Sequence, residues 1–329
     1  MLYANKKKQG LTYGGRSYTY DDVKKAIATG IVFLPLSNPD GVAWDQKTNS
    51  CWRKNRNPAD STAGVPGSIG IDLNRNFDFV WDFPKLFTPT VAPNVASTNP
   101  RSSTYHGRSP NSEPETKSIK WVMDTFTRLR WYVDIHSYYG VVLYSWGSDE
   151  NQSKDKKMNF LNAEYNEERG LMPDSPPDKL VYSEYIPSDD WRDNVYAAMK
   201  FGNAADAATG RHYEGTYSNP EHFLILLFET LLQSRNDANI RRFTVEQAAY
   251  LYPTSGASDD YAYSRHFANP KLNKINAFTV EFGFGNPEAT CAFYPTQEQY
   301  HLNMLETNSG FMQFILTADE IGLGPSAGC

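Results

Sequence analysis

The chain has 329 residues, 40% of them hydrophobic and 14% aromatic, a globular composition that excludes wholesale disorder. Its net charge of -6 gives no basic face for nucleic acid. Three cysteines, at 51, 291 and 329, make no disulfide framework, and the longest apolar run, 223–228, is too short to span a membrane.

The first residues include Lys6, Lys7 and Lys8, but no apolar stretch or small-residue cleavage site follows, so no signal peptide is read. Residues 20–28 have helical spacing (Val23, Ala26, Ile27), and Gly30 sits where a helix stops. Residues 31–36 are continuously apolar, as in a strand buried on both faces, and Asn38-Pro-Asp-Gly41 is turn chemistry after it. The Pro-, Ser-, Thr- and Asn-rich stretches 53–68 and 84–112 read as loops.

A helix is predicted over 112–130, capped by Ser112, with Glu113 and Glu115 in its first turn. Ile119, Val122, Met123 and Phe126 form its apolar stripe. Strands follow at 131–136 and 141–146, then a polar stretch over 148–190 and a helix over about 191–208. A strand at 277–282 and a helix over most of 297–320 complete the chain. This alternation predicts one α/β domain over 1–329, with a mixed, mostly parallel twisted sheet flanked by helices.

In such sheets ligands bind outside the carboxyl ends of the strands. Unusual polar residues fall there: Asn38 to Gly41, His136-Ser137-Tyr138, and Glu281. His136 closes an apolar strand and reads as either a structural histidine or a metal ligand. Glu281 lies within Phe278-Thr-Val-Glu-Phe, where a carboxylate is costly unless paired or at work. Asn74 and Arg75 are either a hydrogen-bonded loop or a fork matched to a carboxylate.

Six segments, in order, resemble the M14 zinc metallocarboxypeptidases: Asn38-Pro-Asp-Gly41, Trp52-Arg53-Lys54, Asp72-Leu-Asn74-Arg75-Asn76, Asp134-Ile-His136-Ser137, Leu251-Tyr252-Pro-Thr-Ser-Gly256 and Thr279-Val-Glu281-Phe. The resemblance implies an exopeptidase that removes the last residue of a peptide. It implies that His136 is a zinc ligand, that Glu281 is the general base, and that Arg53 stabilises the developing oxyanion. Asn74 and Arg75 would dock the terminal carboxylate, Ser137 and Tyr138 would line the peptide site, and Tyr252 would close over it. Asp72 resembles the carboxylate that orients an upstream zinc-bound imidazole. Asp259 matches the base of the pocket for the last side chain, where an acid implies preference for Lys or Arg.

Catalytic zinc takes three protein ligands. The family supplies two from an H-x-x-E motif ahead of Asn-Pro-Asp-Gly, and no histidine here has an acid three residues after it. Glu298 and His301 have the reverse spacing, but they open the last helix, where the family has no ligand. By the family's spacing the motif falls before Met1. Two readings stay open: a preceding segment with further strands and ligands, or a pseudo-enzyme that keeps a peptide groove. On either, His136 is the family's single ligand within this chain.

Residues 214–243 interrupt an otherwise family-like passage and read as an insertion, either a lineage-specific loop and helix or translated intron. A Cys51–Cys291 bridge is conceivable, leaving Cys329 over. The family implies a secreted monomer that acts on peptide or protein C-termini, without nucleic acid or membrane. The rival from a different class is a peptide-binding module without metal.

Overall fold

The computed structural model describes residues 1–172, 182–210 and 242–322. The chain opens with α1 (Leu2–Lys7), the hairpin β1 (Leu11–Tyr13) and β2 (Arg16–Tyr18), and α2 (Tyr20–Ala28). Thr19 and Asp22 form a reciprocal capping box that fixes the start of α2. Next come α3 (Pro39–Thr48), the short α4 (Phe83–Leu86) and α5 (Ala92–Val95), and α6 (Pro114–Thr125). The remaining elements are β3 (Trp131–Ser137), β4 (Val141–Tyr144), β5 (Asn151–Gln152), β6 (Glu184–Tyr185), α7 (Ser188–Ala208), β7 (Thr244–Gln247), α8 (Ala248–Leu251), α9 (Ser258–Ala268), β8 (Asn276–Phe282) and α10 (Gln297–Ile321).

The main sheet has the order β3-β8-β4-β7. β3 runs parallel to β8 and β4 parallel to β7, while β4 and β8 are antiparallel. One face carries α7 and α10, where Phe201, Val195 and Phe314 pack on Val142, Phe278 and Val280. The other face carries α6 and α9, where Ile119, Met123 and Tyr263 join Phe77, Phe87 and Trp146. The α/β sheet flanked by helices is thus observed, and two apolar layers hold it. The N-terminal elements form a satellite cluster on α10, with Val23 and Ala26 against Met312 and the Tyr18 hydroxyl donating to the Ser309 carbonyl at 2.8 Å. Among the described residues no helix is long and apolar enough to cross a membrane.

Several local expectations are corrected. Residues 31–36 are not a strand, and Ile31, Val32, Phe33, Leu34 and Leu36 are all exposed. An extended run needs a ladder partner. No described strand pairs with it, and Pro35 offers no N–H. Asn38-Pro-Asp-Gly41 is not a free turn: Asn38 caps α3, accepting the Gly41 N–H at 3.0 Å, and Pro39 takes the first helical position. Ser112 does not cap α6. Pro114 sets its start one residue later than that capping requires, so Glu113 takes the cap position, and the Ser112 hydroxyl donates to the Glu113 carboxylate instead. The helix ends at Thr125, so Phe126 falls outside it and is exposed. The proposed insertion lies outside the described residues except for Arg242 and Phe243. Phe243 is buried against Phe201 of α7.

Candidate functional site

The site grows from one register. β3 and β8 pair so that His136 lies opposite Glu281, both at the carboxyl ends of parallel strands. Side chains alternate across a strand, so Asp134 and His136 share a face while Ile135 points to solvent. His136 Nε2 lies 3.1 Å from Asp134 Oδ2, and its Nδ1 lies 3.9 Å from Glu281 Oε1. Burial opposes the charged imidazole, but Asp134 and Glu281 outweigh it and raise its pKa to about 9. Burial also raises the Glu281 carboxyl, while His136 and Arg53 pull it back.

Arg53 stands beside this pair on the loop after α3. Its Nε donates to Asp72 Oδ2 at 2.9 Å, and Asp72 holds the guanidinium firmly charged. Asn38 steadies the same loop from behind, donating Nδ2 to the Arg53 and Lys54 carbonyls at 3.2 Å each. Asp72 itself is buried and also accepts the Asn74 N–H, opening the tight turn Leu73–Arg75. In this chain, then, Asp72 bonds a guanidinium, where the resemblance put an imidazole.

Asn74 spends its side-chain carbonyl on the Ser258 N–H at 2.8 Å. Arg75 is buried, with Nε on the Val95 carbonyl at 2.7 Å and Nη1 on the Asn74 carbonyl at 2.7 Å. Both therefore also fasten the 72–76 turn to its surroundings. The Tyr252 ring is about half exposed and lies 5.9 Å from the Arg75 guanidinium carbon. The loop that carries it returns through Gly256, at φ 67°, where a β-carbon would stand 2.4 Å from the Arg75 carbonyl oxygen. Only glycine permits that approach.

Asp259 is buried in the first turn of α9. Burial and then Asp134 raise its carboxyl, and burial and Asp259 raise Asp260 well above the usual range. Asp260 accepts the Gly147 N–H with both oxygens. Ser137 ends β3, and Tyr138 meets the exposed Phe293 edge-on at 4.8 Å. Glu298 and His301 lie exposed in the first turns of α10.

Two side chains at the centre have no role assigned from the sequence. Asp134 bonds His136 and accepts the Ser258 hydroxyl at 2.5 Å. Its signal was present as an acid two residues before His136, on the same face of an otherwise apolar strand. Ser258 had no comparable signal, because folding alone brings it to Asp134.

Zinc is the metal that the resemblance implies, and it takes three protein ligands in catalytic sites. Among the described residues His136 is the one imidazole beside these carboxylates; Asp134 lies 3.1 Å from its Nε2 and Glu281 3.9 Å from its Nδ1. Among the described residues no group of three His, Cys, Asp or Glu is placed to hold a metal ion. The described donors do not fit a catalytic zinc on their own.

A family model described as zinc carboxypeptidase matches residues 16–308. Carboxypeptidase A1 of Mus musculus is 35% identical over 127 residues, 38% of this chain and 27% of that protein. Carboxypeptidase A2 of Rattus norvegicus is 36% identical over 117 residues, 36% of this chain and 25% of that protein. The match thus spans about a quarter of the length of these curated relatives. Among solved structures, carboxypeptidase A from Helicoverpa armigera aligns at TM-score 0.48 and 20% identity, covering 89% of this chain and 51% of its own.

Proposed function

The chain belongs to the zinc carboxypeptidase family, and from that premise we propose that its cleft receives the carboxyl end of a peptide for removal of the last residue. The observation that carries this reading is the convergence of Arg53, His136 and Glu281 beside the 72–76 turn. A fixed cation, a partly buried carboxyl of raised pKa and a turn bearing Asn74 and Arg75 suit a carboxylate ligand and its adjacent carbonyl.

In this reading Arg53 faces the carbonyl of the last peptide bond, and Asp72 keeps its guanidinium aimed. Asn74 and Arg75 receive the terminal carboxylate, and Tyr252 closes over it. Glu281 takes a proton from the attacking water, for which its raised carboxyl is suited. His136 would offer one imidazole to a zinc ion only if further ligands came from outside the described residues. The described residues complete no coordination set, so no step is assigned to the metal.

That incomplete donor set favours a second reading for the chain as it stands, as a binder of peptide ends that does not hydrolyse them. One pair of measurements separates the possibilities. Binding of a short peptide is compared with its C-terminal amide by fluorescence anisotropy, and release of the last residue is followed with and without added zinc. The acid form binding at least about tenfold more tightly supports carboxylate recognition; equal binding overturns it. Zinc-dependent release, reduced about 10²- to 10⁴-fold by Glu281→Gln, supports the exopeptidase. Tight binding with no release supports the binder.

Asp259 extends the proposal to a preference for C-terminal Lys or Arg. Burial and Asp134 disfavour the charged form of the Asp259 carboxyl, and a cationic side chain beside it would relieve that cost. Preference for a C-terminal Phe peptide over its Arg counterpart by about tenfold would refute this. We place the protein outside the cell, where the Cys51–Cys291 bridge is stable.

A further inference from the structure

The cleft has two walls that come from distant parts of the chain, and the means of holding them together is visible. One wall is the 44–53 segment that delivers Arg53. The other is the 286–294 segment, an irregular stretch between β8 and α10 that carries Phe293. A disulfide joins Cys51 to Cys291 across a sequence separation of 240. Cys291 is buried and Cys51 exposed.

A polar contact doubles the covalent one. The Tyr294 hydroxyl accepts the Cys51 N–H at 2.9 Å and donates to Asp45 at 2.8 Å. Asp45 also accepts the Trp52 N–H at 2.7 Å. The two backbone N–H groups directly before Arg53 are therefore both fixed by Asp45 and Tyr294. Cys51 itself sits at φ 57°, a conformation a residue other than glycine keeps only where its surroundings hold it.

On the far side, Phe293 lies between Cys291 and Tyr294 and meets the Tyr138 ring edge-on. Tyr138 packs so closely over Gly285 that a β-carbon there would fall 2.4 Å from its ring. Asn286 closes the loop, its Nδ2 donating to the Tyr294 carbonyl at 2.9 Å and its N–H to the Ala292 carbonyl at 2.8 Å. The bridge, Tyr294 and Phe293 thus form one short unit between Arg53 and Tyr138.

We propose that the Cys51–Cys291 bridge and the Asp45–Tyr294 contact form a clamp that positions Arg53 against the Tyr138–Phe293 wall, and so sets how tightly the cleft holds an apolar side chain preceding the last residues of a peptide. The inference rests on the reading of this cleft as a peptide site. The clamp residues touch no reacting atom. Cys51, Cys291, Asp45 and Tyr294 are positioning residues, and the Tyr138–Phe293 face is what they place.

The test uses the 329-residue chain and two N-acetylated tetrapeptides that share their last two residues and carry either Phe or Gly before them. The intact chain binds the Phe peptide about fivefold more tightly, the scale of one aromatic contact. Cys51→Ser with Cys291→Ser, or Tyr294→Phe, removes that difference, the Phe peptide losing more affinity than the Gly peptide. Dithiothreitol on the folded chain gives a third route. It transfers two electrons and two protons to the bridge, leaving two thiols and its own cyclic disulfide, and serves if the serine variant fails to fold. Hydrogen exchange over 51–54 and 286–294 accelerates in all three cases. Retention of the Phe preference after the bridge is shown to be open overturns the proposal. If neither peptide binds the intact chain, the peptide reading fails. The clamp is then judged by exchange alone, and unchanged protection on opening the bridge overturns it.

Discussion

Val141–Tyr144 and residues 31–36 are both short apolar runs bounded by turn residues. All four residues of the first are buried, Val141 and Val142 completely. In the second, Phe33 is 75% exposed and Leu34 46%. The difference lies outside both runs. Val141–Tyr144 is hydrogen-bonded to β8 on one side and β7 on the other, and α7 covers its face. Residues 31–36 have no ladder among the described strands. Apolar composition makes a segment able to be a strand, but neighbours decide whether it becomes one.

The largest effect that sharpens this comparison is expected at the covered end. Phe278 is fully buried, stacks on Trp131 and meets Phe314 edge-on. Phe278→Ala should cost about 3–5 kcal/mol in urea unfolding. Phe33→Ala should change stability by no more than about 0.5 kcal/mol. A loss above ~2 kcal/mol at Phe33 would show that the run is packed in solution and would break the comparison.

The next effect reads burial through pH. Glu184 is buried, accepts the Tyr182 hydroxyl at 2.6 Å and the Phe160 N–H at 2.8 Å, and is raised by burial from 4.5 to about 7. The folded state therefore holds this proton more tightly than the unfolded state. The stability is fully present below about pH 4.5 and is lost as pH rises through about 7, a swing of about 3 kcal/mol. Glu184→Gln should remove that swing, so its difference from the parent chain should grow across this window. A constant difference would mean that the carboxyl is not desolvated.

A smaller effect is expected at the start of α10, where Thr296 and Gln299 cap each other at 3.1 and 2.9 Å. Thr296→Ala should cost about 1 kcal/mol, because it frees one helix-end N–H. The smallest concerns the exposed run. Phe33→Lys should leave the unfolding midpoint unchanged, within about 0.5 kcal/mol, yet reduce light scattering at high concentration. Unchanged scattering would favour the monomer implied by the family resemblance.

The helices over 20–28, 188–208 and 297–321 were legible because each writes its own apolar spacing or cap into a continuous stretch. The strands ending in His136 and near Glu281 were legible for the same reason, and these two residues drew attention as polar groups in apolar runs. The bond from Asp134 to Ser258 was not legible, because no local pattern brings residues 124 positions apart together. Nor was the partner of Asp72. The sequence marked it as a carboxylate with an orienting role, and the fold placed Arg53 on it.

By itself the sequence determined the family, the alternation of strands and helices, and which side chains are chemically unusual. These depend on residue type and spacing along the chain. Tertiary structure decided which apolar runs became strands, which acid faces which cation, and that Cys51 meets Cys291 beside Arg53. Those outcomes depend on pairing between distant segments, and a hydrogen bond, an ion pair or a bridge exists only when both partners arrive.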